Sequence, residues 1–162
     1  MKVKFENIRH GWVDFTISDG EENIVSDSFS YTPYDSFDDL ISAIDSFRKE
    51  YQSNEERIVI LHVEPYEYEL IFNGTNENVN LTITGYPDYK RGENRGQEIY
   101  EISGNFEEIC VPFWRGLRSL QGLHSAKELD ELWHRGFPSS ALDILSSKIQ
   151  NHERKKTTNK AI

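Results

Sequence analysis

The sequence predicts an α+β fold: a mostly antiparallel sheet, one amphipathic helix inserted early, and a group of helices towards the C-terminus. Three observations predict it. Val13, Phe15 and Ile17 alternate with Asp14, Thr16 and Ser18, and Val79, Leu81 and Ile83 alternate with Asn80, Thr82 and Thr84. A period of two is that of a half-buried strand. Phe37, Leu40, Ile41, Ile44, Phe47 and Tyr51 recur at helical spacing between those strands and make one apolar stripe. Past residue 105 the apolar period becomes helical and stays so.

In chain order, Val3 to Ile8 is a short strand. Asp19-Gly20 is a hairpin signal after the second strand. Val25, Phe29 and Tyr31 return on one face, interrupted by Asp27, and Pro33 ends that strand. The inserted helix follows. Asp35 or Ser36 is placed to cap it, and Ser36 with Asp39 has capping-box spacing. Asp38 and Asp39 sit at the positive end of its dipole, Arg48 and Lys49 at the negative end. The continuous apolar run Ile58 to Val63 predicts an inner strand covered on both faces, broken at Glu64-Pro65. Tyr66, Tyr68, Leu70 and Phe72 then alternate with Glu67, Glu69 and Ile71. Residues 85–97 predict an exposed loop, with Lys90, Arg91 and Arg95 as the basic surface of the body. Ile99 to Ser103 is the last strand.

Phe106, Ile109, Cys110, Phe113, Leu117 and Leu120 are helically spaced; Pro112 either kinks this helix, the preferred reading, or starts a helix after a strand that runs to Val111. Ser125 and Glu128 form a capping box for a helix through Arg135, stopped by Gly136. Pro138 opens a last helix with Leu142, Leu145 and Ile149 as its stripe. The reading is one α+β domain over 1–151. The polar, basic residues 152–162 are expected to be a disordered tail.

The chain has 162 residues and a formal net charge of -10. Between His10 and Phe47 there are nine acids and no Lys or Arg, whereas five basic residues and one acid lie from Lys148 onward. The body is therefore more acidic than the whole. An acidic body repels phosphates, so no nucleic-acid partner is expected. No run of about 18 apolar residues exists, so no membrane span or membrane partner is expected. The first residues, Met1 to Glu6, lack the apolar core of a signal peptide. One cysteine, Cys110, excludes an internal disulfide, and a cytoplasmic protein is expected.

Catalytic patterns are sparse. His62-Val-Glu64 matches the first half of a zinc deaminase signature, which needs a Pro-Cys-x-x-Cys pair that a single cysteine cannot supply. His62 reads as a strand histidine and Cys110, on an apolar stripe, as a buried inert thiol. No cofactor or metal is expected. Glu64, Glu67 and Glu69 are the candidate carboxylates. Glu67 and Glu69 share a strand face, at a spacing compatible with the roughly 5 Å of a retaining glycosidase pair. Tyr66 and Tyr68, on the opposite face, read as packing residues.

Several short features occur in a particular order. Gly11-Trp12 opens a strand, and Ser30-Tyr31 precedes an Asp-rich amphipathic helix. Glu64-Pro65 follows an apolar strand. Leu132-Trp133, Phe137-Pro138 and the Leu142-x-x-Leu145 pair close the series. Spanning residues 5–149, this order resembles that of bacterial polymorphic-toxin immunity proteins, including those of contact-dependent inhibition systems. The resemblance implies a small, cytoplasmic, non-enzymatic antidote that binds and occludes a cognate toxin domain, for which a basic nuclease is one candidate. Such families diverge at the binding face, so the resemblance carries over no interface residue. Charge and face alone select Asp14, Asp35, Asp38, Asp39, Glu64, Glu67 and Glu69 as the toxin-binding set. The alternative is a small hydrolase using a pair among Glu64, Glu67 and Glu69.

Overall fold

Two meanders and a helical C-terminal region share one core. The computed structural model describes residues 1–49, 53–91 and 95–160, the last nine of these for backbone alone. Strands β1 (Lys2–Arg9), β2 (Trp12–Asp19) and β3 (Glu22–Ser30) form a three-stranded antiparallel sheet in sequence order. Helix α1 (Ser36–Arg48) follows. Strands β4 (Glu55–His62), β5 (Glu67–Thr75), β6 (Asn78–Tyr86) and β7 (Gln97–Gly104) then form a second antiparallel sheet, again in sequence order. The expected antiparallel sheet is thus two sheets. The α1 insertion separates β3 from β4, and no pairing joins them.

The alternation read from sequence sets the inner faces. Val13, Phe15, Ile17 and Phe29 of the first sheet are buried, as are Leu70, Phe72, Val79, Leu81 and Ile83 of the second. Leu40, Ile44 and Phe47 of α1 are buried in the same cluster. Tyr51, expected at the end of the α1 stripe, lies outside the described residues. Ser36 does not cap the helix: it is the first helical residue, and its Oγ donates to the Ile60 carbonyl at 2.6 Å. Asp35 occupies the N-cap position without a side-chain cap bond. Strand β4 is an edge strand and not an inner one. Its apolar run is continuous because Ile58 and Ile60 alternate with Val59 and Leu61, but only the latter pair is buried; Ile58 is 46% exposed.

The C-terminal helices follow their signals with local corrections. A short helix α2 (Phe106–Ile109) and α3 (Val111–Gly122) are joined through Cys110, which keeps right-handed helical backbone. Pro112 falls in the first turn of α3, where its missing N–H leaves no bond unmade. The stripe from Phe106 to Leu120 is buried throughout. Asn105 adds a capping box with Glu108. Helix α4 (Ala126–Trp133) has the expected Ser125–Glu128 box. It ends earlier than expected, with His134 and not Gly136 in the left-handed C-cap conformation (φ 60°). The reason is tertiary: the Gly11 amide donates to the Leu132 carbonyl at 2.7 Å, taking an acceptor at the helix end. Helix α5 (Ser139–Lys160) continues through residues where a disordered tail is expected. No Gly or Pro follows Pro138 to stop it. Residues 161–162 lie outside the described residues.

Phenols tie the two sheets together. Tyr68 on β5 packs edge-on against Phe15, and its hydroxyl donates to Asp27 at 3.4 Å. Tyr100 on β7 donates to Asp19 at 2.6 Å. The packing role expected of Tyr68 is what is found. Desolvation first, then the neighbouring carboxylates, push both phenols from the usual 10 up to about 12. A folded-state value above the unfolded one gives stability that is intact below pH 10 and lost as pH rises towards 12. Denaturant midpoints should therefore fall across that window, and fall less in a Tyr68→Phe, Tyr100→Phe double variant. Equal alkaline losses in parent and variant would assign the fall to other groups.

Candidate functional site

Strand pairing places Glu67 on the outer face of the second sheet, opposite His62 on β4 and Tyr86 on β6. Chain alternation alone makes this a solvated acid. Instead Glu67 is 0% exposed. Its Oε1 lies 3.1 Å from His62 Nδ1, and its Oε2 accepts from Arg91 Nη2 at 2.7 Å. Arg91 arrives from the loop after β6, stacks over the Tyr86 ring at 4.7 Å and donates its Nη1 to Glu69. Tyr34, just before α1, hydrogen-bonds Glu67 and packs against His62. Its phenol is pushed up by desolvation and then by Glu67. Burial alone would lower the Arg91 value, but its bond to Glu67 and the charges of Glu69 and Glu67 outweigh it and raise it.

This arrangement corrects three expectations. Glu67 is not exposed, Glu69 is mostly covered, and one guanidinium binds both carboxylates. Arg91 is not part of a free basic surface. Arg95, also expected there, pairs with Asp88 at 2.6 Å. Sequence reasoning missed the cluster because Arg91 lies over twenty positions beyond Glu67, and spacing carries no signal for a loop that folds back. Both Glu67 oxygens are bound and its face is closed, which leaves the carboxylate no open side towards a substrate.

The α1 acids form a different site. Asp35 pairs with Arg135 from the end of α4, and that guanidinium also donates to the Tyr31 and Tyr34 carbonyls at 3.3 and 3.4 Å. Asp38 and Asp39 are exposed and form no ion pair with a side chain among the described residues. Partial desolvation first, then the charge of Asp35, pushes Asp38 up against the opposing pull of Arg135; desolvation, Asp35 and Asp38 push Asp39 up. The field of the helix start favours these charges, yet partial desolvation and then the crowding of three carboxylates outweigh it.

The remaining acids are scattered. Glu64 is exposed in the turn between β4 and β5. Asp14 lies on the outer face of the first sheet, bonded to Ser28 at 2.5 Å, Asn7 at 2.9 Å and Arg9 at 3.0 Å. Burial pushes its carboxyl up, but these partners together hold it below the usual range. The fold therefore gathers Asp35, Asp38 and Asp39. It joins Glu67 to Glu69, brings Tyr34 from beside Asp35 onto Glu67, and leaves Asp14 satisfied elsewhere.

Missed by sequence reasoning was the outer face of the second sheet as a whole. Register aligns Ile58 with Ile71, Thr82 and Glu101, and Ile60 with Glu69, Thr84 and Glu98. The alternation that buries one face was the available signal, since each buried residue implies an outward neighbour. Among the described residues only Glu67 is buried on this face, so no helix packs across it. No helix is long and apolar enough to cross a membrane among the described residues. No protein-family model, curated protein or solved structure matches the chain.

Proposed function

We propose that this protein is an immunity-type inhibitor that binds a cognate basic toxin domain and occludes it without catalysis. The observation that carries the reading is the crowded, cation-poor carboxylate group at the α1 start. Asp38 and Asp39 are charged at a cost because they are partly desolvated and Asp35 stands beside them; the Arg135 charge offsets only part of it at Asp38, and neither forms an ion pair among the described residues. The field of an approaching Lys- or Arg-rich domain relieves that cost, so the surface favours a basic partner before contact. Fields of this kind lift association towards about 10⁸–10⁹ per molar per second and lose effect with salt. The ordered resemblance to polymorphic-toxin antidotes supports the same reading. The hydrolase alternative is disfavoured by the closed environment of Glu67 and by the single guanidinium that binds both glutamates.

The test is co-expression with the C-terminal domain of the protein encoded by the adjacent upstream gene. Cells should survive that domain only when this protein is present. With purified partners, Asp38→Asn, Asp39→Asn should slow association at low salt and leave it nearly unchanged at high salt. The sign with pH follows from the raised carboxyls: a cationic partner lowers them, so binding should strengthen as pH rises through the carboxylate range. Death of the co-expressing cells, or an association rate insensitive to salt and to both substitutions, would sink the proposal.

A further inference from the structure

We propose that the outer face of the β4–β7 sheet is the surface on which the basic partner docks, resting on the reading of the protein as a toxin inhibitor. The face has an apolar centre and an acidic margin. Ile58, Ile60 and Ile71 stand together on β4 and β5, with Ile58 opposite Ile71 in register. Ile58 is 46% exposed, and Ile60 and Ile71 are half-buried. Glu56 at the end of β4, and Glu98 and Glu101 on β7, flank that centre from both edge strands. All three glutamates are exposed, and none forms an ion pair among the described residues. Glu101 only accepts from the Asn80 amide at 2.8 Å.

No Lys or Arg stands at any outward strand position of this face from Glu56 to Ser103. Arg91, which closes over one end of it, is already bound by Glu67 and Glu69. Four strands about 4.8 Å apart, each about eight residues at 3.3 Å, give a platform of roughly 15 by 26 Å. Hydrophobic contact at the centre with charge at the rim is the anatomy of a protein interface. Charge decides the occupant. A second copy of this chain would set three unpaired glutamates against three more, which is repulsive. Phosphates are repelled for the same reason. A partner carrying Lys or Arg around an apolar patch matches the face on both counts. The α1 acids then act at a distance, raising the encounter rate, while this face makes the contact.

The probe is a short extended peptide alternating Lys and Leu, titrated into the isotope-labelled full chain and followed by amide chemical shifts. Peptides alternating Glu with Leu, and Lys with Ser, serve as controls. Shifts should concentrate in β4 to β7, and both controls should bind more weakly. Glu98→Lys, Glu101→Lys, which touches only exposed side chains, should weaken the Lys–Leu peptide by roughly tenfold or more, about 1.4 kcal/mol. Ile58→Ser should weaken it too, and Asp38→Asn, Asp39→Asn should leave the footprint in place. Parent-like thermal melts establish that each variant is folded. A footprint centred on the α1 start, undiminished binding by the Glu98, Glu101 variant, absence of binding, or self-association through this face would each overturn the assignment. Protection from the toxin is read separately. Failed protection with the footprint intact counts against the toxin reading and leaves the face standing as a basic-partner site. Protection that survives Glu98→Lys, Glu101→Lys counts against the face alone.

Discussion

Replacing Arg91 by Ala should destabilise the fold by about 3–5 kcal/mol, the cost of leaving a buried charge without its partner. Glu67 has 0% of its side chain exposed and Arg91 only 25%, so the pair is largely desolvated. Arg91 also binds Glu69 and covers Tyr86. Its removal leaves two carboxylates facing each other across one strand face. Glu67→Gln should cost less, because Arg91 keeps Glu69 and the amide keeps a hydrogen bond. The decisive comparison is the double variant Arg91→Met, Glu67→Gln. It removes both charges and retains volume, so it should be more stable than Arg91→Ala alone. Urea unfolding of the four proteins checks this. A loss below about 1 kcal/mol for Arg91→Ala, the scale of an exposed pair, would mean that the loop does not bind Glu67 in solution.

Phe37→Ala should cost about 3–5 kcal/mol, the usual range for removing a buried aromatic ring. Phe37 is the first large residue of α1 and is almost fully buried. Its ring meets Phe5, Phe29, Trp133 and Phe137 at centroid distances of 5.7, 5.3, 4.7 and 5.1 Å. Those rings come from β1, β3, the end of α4 and the segment before α5, so one cavity would loosen four parts of the chain. Phe37→Leu should recover much of the loss, since it refills volume without the edge-to-face contacts. Thermal and urea melts measure both. If Phe37→Ala melts with the parent, the junction of these four segments is not where the structure places it.

The fold was legible wherever one residue's environment is decided by its near neighbours in sequence. Val13 to Ile17, Val79 to Ile83 and the α1 stripe each carry their period openly, and so did the Ser125–Glu128 cap. Reading failed where distant segments decide. The run Ile58 to Val63 is apolar on both sides, and only strand order shows that one side faces outward. Gly136 is a plausible stop for α4, but the bond from Gly11 ends the helix sooner. Candidate site residues fared likewise. Asp38 and Asp39 stay exposed, as their positions off the apolar stripe imply. Glu67 does not, because Arg91 and Tyr34 close over it, and Asp35 takes its partner from a residue one hundred positions away.

The division of β4 to β7 into a packed side and an open side also bears on how this chain can change. Substitutions at Val59, Leu70, Phe72, Leu81 or Ile83 disturb the core and are felt by the whole domain. Exposed outward positions on the same strands, such as Ile58, Glu98 and Glu101, have no packing partner across the face, and surface changes of this kind usually alter stability by under about 0.5 kcal/mol. The outward side of each strand can therefore vary in sequence while stability is held on the other, with Arg91, Glu67 and Glu69 marking where that freedom stops.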